Sequence, residues 1–405
     1  MRYLRKDFRM IADPRIWKEL WRPLNDSLED IMNQTQANRY SKHFFGQHHL
    51  KALVLFQMTE GQSLEDLHQL LTEDLRFKVF THSPYVSKSQ LSRANAKRPI
   101  QAFQRMFLSL VDQLPAKVKI PRSLKELSQR IRVFDGTCLA LNPNYCPWAV
   151  YRHQFREPDA GIRMTLRLHL GSPAPDRVFV HPFQDYSACY FKSSLDLDQR
   201  GFLYLFDREF NNHQTFEQIS LSKNFFLTRM KETNTYQVLE TRSNSTRFRH
   251  GLKILKDQTI RLGKKHNLTT LFRRIEAVDQ DQNSIVFLTN LFAFSATTVA
   301  QLYRRRWEIE SFFKWIKQHL KIKRFIAYSL NGILLQIYAA LILFLLLVLF
   351  RYANRLKISL FDLFRKFRSR MCVITPVFVI RSQKLKLLNL WNPLYFQASP
   401  LGVPF

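Results

Sequence analysis

The spacing of apolar positions changes character along the chain. Up to about residue 125 it is helical. Leu50-Lys-Ala-Leu-Val-Leu-Phe56 repeats at steps of three and four, and Ser63-Leu-Glu-Asp66 predicts the capped start of a helix carrying Leu64, Leu67, Leu70 and Leu71. Ser87 to Arg98 predicts a short basic helix resembling a helix-turn-helix reader, and Pro99 opens an apolar one running to Leu114. Beyond a linker bracketed by Pro115 and Pro121, alternation with period two takes over. Arg132 to Thr137, Arg163 to Leu170, Arg177 to Val180, Phe202 to Phe206 and Asn224 to Thr228 predict five strands. Short candidates around Tyr236, Leu252, Leu271 and Ile285 predict a β-rich insertion over 230–292. Tyr303 to Lys317 predicts one helix, with Tyr303, Arg306, Glu310, Phe313 and Lys317 on a single face. Ile333 to Phe350 is almost unbroken apolar sequence, interrupted chiefly by Gln336 and Tyr338. That length fits a membrane span, and it fits equally a helix buried all round in a large core.

Composition narrows the partners. The chain has 405 residues, enough for two or three lobes, and 62 Lys and Arg against 32 Asp and Glu give a net charge of +30. With 46% hydrophobic residues it is no disordered basic tail, so a folded protein that meets a polyanion is expected, nucleic acid first. The charge is patterned: Arg242 to Arg274 holds ten basic residues and one acid, Asp257, and Arg351 to Arg370 holds seven against Asp362. Four cysteines without a C-x-x-C pair disfavour a zinc module, and the N-terminus lacks the apolar segment of a signal peptide. A cytoplasmic, nucleoid-associated protein is the expectation. No P-loop, dinucleotide fingerprint, G-x-S-x-G or H-E-x-x-H is present.

Three acids stand out by context. Asp135 and Asp207 sit in or just after predicted strands, where aspartate has low propensity, and Glu310 lies between an arginine and a lysine on its helix face. Hard carboxylate oxygens suit Mg²⁺, and a pair of ions can drive in-line phosphoryl displacement. A strand-end aspartate is also a common turn starter; Asp196 and Asp198 are rivals to Asp207, and Glu308 is a weaker rival to Glu310 because, two residues away, it faces elsewhere on the helix.

The spacing Tyr303-(two)-Arg306-(three)-Glu310-(six)-Lys317 resembles the Y-R-E-K signature of insertion-sequence transposases of the IS-four family, in the DDE superfamily. Asp135-Gly-Thr, Pro147-Trp-Ala, Asp207-Arg-Glu and Phe312 to Lys323 are similar to that family as well. The resemblance implies an α/β architecture: an RNase H-like mixed-sheet catalytic core over 125–350, a helical N-terminal DNA-binding lobe over 1–120 and a basic tail over 351–405. It implies that Asp135, Asp207 and Glu310 are catalytic and bind divalent metal, two Mg²⁺ ions with Mn²⁺ as a substitute, while Tyr303, Arg306 and Lys317 grip DNA phosphates. The implied activity is cut-and-paste transposition, in which a homodimer cleaves the paired inverted-repeat ends and joins the 3′-hydroxyls to target DNA. It favours the buried reading of 333–350, hence no membrane. The rival readings are a catalytically inactive DNA-binding relative and a basic membrane-anchored protein. One departure touches hairpin formation: no tryptophan lies between Trp148 and Trp307, which leaves Phe248 or Phe272 to stack a flipped base.

Overall fold

A computed structural model describes residues 14–114, 130–151, 159–170, 172–183, 191–242, 251–263, 270–322 and 324–372. These form two compact units: residues up to 110 together with those from 338 onward, and residues 111–337.

The first unit is helical. Helices α1 (Pro14–Gln34), α2 (Gly46–Phe56), α3 (Leu64–Glu73), α4 (Leu75–Thr81), α5 (Lys88–Lys97) and α6 (Ile100–Asp112) follow one another. The capping box expected at Ser63 forms: the Asp66 N–H donates to Ser63 Oγ at 3.1 Å, and the Ser63 N–H donates to Asp66 Oδ2 at 3.0 Å. Ser87 and Gln90 cap α5 in the same reciprocal way.

The second unit is built on a mixed sheet with ten strands among the described residues. Its first strands are β1 (Ile131–Leu141), β2 (Val150–Tyr151), β3 (Asp159–His169) and β4 (Arg177–Pro182). Strand β3 lies antiparallel between β1 on one side and β2 and β4 on the other. Strand β5 (Leu203–Leu205) then returns beside β1 in parallel, and helix α7 (His213–Leu221) leads to β6 (Phe225–Arg229), parallel to β5. An antiparallel meander that continues into parallel strands on the far side of the first strand is the RNase H-like arrangement. The insertion supplies β7 (Tyr236–Arg242), β8 (Leu252–Leu262), β9 (Phe272–Asp279) and β10 (Ser284–Thr289), all antiparallel and joined to the sheet through β10 and β6.

A phenylalanine-rich layer covers one face, with Phe134, Phe191, Phe206, Phe210, Phe216 and Phe226 buried together. Phe272 belongs to this layer and is fully buried, so it has no face to offer a flipped base; Phe248 lies outside the described residues. Within the insertion, Arg273 forms a buried bidentate pair with Asp257 at 2.8 and 2.6 Å. Its Nη1 also donates to the carbonyls of Leu291 and Phe294, tying β8 and β9 to the segment that leads into the next helix.

The helix expected over 303–317 is two helices, α8 (Ala296–Arg304) and α9 (Trp307–His319). Arg305 and Arg306 keep helical dihedrals, but their N–H groups bond three residues back, to Leu302 and Tyr303, so a tight 3₁₀-type turn replaces the continuous ladder. Helix α10 (Leu330–Ala353) carries the apolar run, and 89% of its most apolar window is buried in the protein. Gln336 is fully buried there: its Oε1 accepts the Ile326 N–H at 3.0 Å, and its Nε2 donates to the Lys321 and Arg324 carbonyls at 2.7 Å each. Further along, Tyr338 packs edge-on against Phe107, and Phe350 against Phe367 of α11 (Leu360–Cys372).

Candidate functional site

Strand register brings the two aspartates together. Val133 of β1 pairs in parallel with Leu205 of β5. Asp135 lies two residues further along β1 and Asp207 two residues beyond the end of β5, so the parallel pairing brings both to the same edge of the sheet, where the charge of Asp207 acts on Asp135. Asp207 ends its strand by capping a short 3₁₀ turn, accepting the Arg208 N–H at 2.6 Å. Helix α9 packs on β1 and brings Glu310 to the same region.

Arg306, at the junction of α8 and α9, holds two of these acids. Its Nη1 stands 3.5 Å from Asp135 Oδ1, and its Nη2 pairs with Glu310. Burial pulls the guanidinium pKa down, but Tyr303, Asp135, Asp207 and Glu310 outweigh it and raise it. The Asp135 carboxyl is pushed up to about 6, first by burial and then by the charges of Glu310 and Asp207, against the pull of Arg306 and the Gly136 N–H. Both other acids therefore act electrostatically on Asp135.

The other members of the sequence motif lie beside them. Tyr303 is buried against Phe287, its ring 5.5 Å from the Arg306 guanidinium, and burial pushes its hydroxyl up to about 12. Tyr303 Oη and Arg306 Nε are buried with no partner outside their own pair. Lys317 is half-buried with its ammonium 5.7 Å from the Phe313 ring, and its charge acts on the Cys138 thiol of β1.

The rival acids are placed differently. Asp196 accepts from Arg167 at 2.5 Å and faces Arg177, and Asp198 is exposed. The Glu308 side chain lies outside the described residues. The pairing of Arg167 with Asp196 is joined by Asp176, a residue without a signal in sequence. Burial alone would raise the Asp176 carboxyl, but hydrogen bonds from His169 and Arg167 hold it down at about 2. Only the alternation of β3, which carries Arg167 and His169 two residues apart, points toward this cluster.

The donor chemistry suits a hard divalent cation: three carboxylates, with the charges of Asp207 and Glu310 both acting on the partly buried Asp135. As the side chains stand, no three His, Cys, Asp or Glu among the described residues are close enough to enclose an ion, and Arg306 is the cation in contact with Asp135 and Glu310.

Residues 179–346 match the family described as Transposase DDE domain. A putative transposase of Sinorhizobium fredii, y4zB, is 30% identical over 268 residues, spanning 66% of this chain and 72% of that one. The putative transposase for insertion sequence element IS4SA of Synechocystis is 24% identical over 294 residues, 71% of this chain and 78% of that one. Among solved structures, piggyBac transposase in a synaptic complex with hairpin DNA is similar with a TM-score of 0.42 at 9% identity, over 91% of this chain and 81% of that one. With the Y-R-E-K spacing of Tyr303, Arg306, Glu310 and Lys317, the chain belongs to the DDE transposases of insertion sequences, consistent with the IS-four family.

Proposed function

We propose that this transposase cleaves the inverted-repeat ends of its own element and joins the freed 3′-hydroxyls to target DNA. The observation that carries the reading is the meeting of Asp135, Asp207 and Glu310 around Arg306 in a chain of this family. DDE transposases act on DNA with a divalent metal, and here Asp135, Asp207 and Glu310 are the residues that would hold it, as two Mg²⁺ ions. Bound there, the metal supplies activation of a water or 3′-hydroxyl and stabilisation of the leaving oxygen.

The remaining residues position the strand. Arg306 Nε and Tyr303 Oη, buried with no partner outside their own pair, are donors for oxygens of the scissile phosphate. Lys317, seven residues after Glu310 on the same helix face, adds a point charge at the edge of the site. The net charge of +30 supplies long-range attraction to the DNA. The helical lobe over 1–120 binds DNA, the active assembly is a homodimer on paired ends, and the protein works in the cytoplasm on the nucleoid. Purified protein incubated with end-bearing DNA and Mg²⁺ tests this: new 3′-hydroxyl ends at the repeat boundary support the reading, and binding without cleavage assigns the chain to a non-catalytic role.

A further inference from the structure

The turn between α1 and α2 faces helix α5 across a cleft of about 470 Å³. Arg39, Lys42, His43, Arg93 and Lys97 line it, and none of the described residues lining it is acidic. At its edge Tyr40 is 89% exposed and holds φ +63°, the left-handed region that a bulky side chain rarely occupies. The Arg39 guanidinium lies 4.9 Å from the centre of the Tyr40 ring, leaving the opposite face of the ring toward solvent.

This presentation is built into the helices. Arg98 is buried and donates to the Ala37 carbonyl at 2.7 Å and the Phe44 carbonyl at 2.8 Å, clamping both ends of the turn. Asn38 Oδ1 accepts the Gly46 N–H at 2.6 Å, and Gly46 has no room for a Cβ, which would meet Met32 Sδ at 2.6 Å. Behind them, fully buried His49 shares a 2.9 Å hydrogen bond with Asn95, fixing α2 to α5. An exposed aromatic ring on a clamped turn beside an acid-free basic cleft has the chemistry of a stacking platform with an adjoining phosphate track.

We propose that this cleft is a DNA-binding site of the helical unit, in which Tyr40 stacks on an unpaired base and Arg39, Lys42, Arg93 and Lys97 take the neighbouring backbone phosphates. The site rests on the reading that the chain binds DNA, and it adds a preference for DNA that carries an unpaired or frayed base.

Fluorescence anisotropy of the full chain, without metal, on a blunt duplex and on the same duplex with a short single-stranded overhang tests it. Tyr40→Ala should weaken binding to the overhang DNA about tenfold and leave the blunt duplex nearly unchanged, while Tyr40→Phe keeps both affinities. The double variant Arg93→Gln, Lys97→Gln should weaken both and lower the salt slope by about two, one for each lost phosphate contact. These side chains are exposed, so melting temperatures serve as the folding control. Wild-type protein that binds DNA while all variants bind equally overturns the site alone. Wild-type protein with no salt-dependent DNA affinity overturns the underlying reading and the site with it.

Discussion

Nη1 of Arg306 stands 3.5 Å from Oδ1 of Asp135, an acid in a central strand held by an arginine at a helix junction. The same guanidinium pairs with Glu310, so one positive charge serves two carboxylates while Asp207 adds a third negative charge to the field. The region is charge-frustrated by its own residues. Asp135→Asn keeps the shape and removes one negative charge. In the presence of a chelator this variant should be more stable than wild type by about 1–2 kcal/mol, the size of a two-unit pKa displacement discounted for relaxation. Chemical denaturation measures it, and a clear loss of stability would contradict the frustrated arrangement.

The pH dependence has a defined sign. The Asp135 carboxyl titrates at about 6 in the folded chain, against about 3.9 in an unfolded one. Between those values the folded state holds a proton that the unfolded state releases. The stability linked to this group is therefore fully present below about pH 4 and is lost as pH rises through about 6. Denaturation midpoints of wild type and Asp135→Asn should converge near pH 4 and separate toward pH 7. A gap that widens toward acid would reverse the assignment.

Asp257 is the lone acid in the basic stretch from Arg242 to Arg274, and the fold uses it as the buried partner of Arg273. Asp257→Ala strands a buried guanidinium and should cost about 3–5 kcal/mol. Arg273 also donates to two carbonyls, so adding Arg273→Met to Asp257→Ala should not restore wild-type stability. Equilibrium unfolding checks both, and a loss under about 1 kcal/mol for Asp257→Ala would mean that the pair does not hold the insertion.

Gln336 separates the two readings of the apolar helix. Its side chain satisfies the Ile326 N–H and the carbonyls of Lys321 and Arg324, so Gln336→Leu leaves three backbone groups without their partner. The expected cost is at least about 2 kcal/mol, with the wild-type protein released from membrane pellets by a high-salt wash. A lipid-spanning helix would behave oppositely: leucine would be tolerated and the protein would stay in the pellet.

Much of this was legible because it is local. Period-two alternation marks the strands, and Asp135 and Asp207 stand out because an aspartate is poorly suited to strand interiors. The spacing from Tyr303 to Lys317 carries the motif because helical steps keep it on one face even through the tight turn at Arg305 and Arg306. That turn itself was hidden, since both arginines keep ordinary helical dihedrals and no glycine or proline marks the break. Long-range pairings left no trace: neither Arg306 against Asp135 nor Arg167 against Asp196 follows from spacing, because tertiary packing across 171 and 29 residues decides them. Tyr40 was equally silent, since its exposure depends on a turn clamped by Arg98 from a distant helix. Phe272 shows the converse, an aromatic available by sequence and enclosed by the sheet.

The central claim, that Asp135, Asp207 and Glu310 act together on DNA, is tested most directly at Asp207, the acid not paired with Arg306. Single-turnover cleavage of end-bearing DNA in Mg²⁺ should fall by more than about 100-fold in Asp207→Asn, beyond the effect of losing an outer partner of a metal site, while DNA affinity stays near wild type. Cleavage at the wild-type rate by that variant would contradict the account.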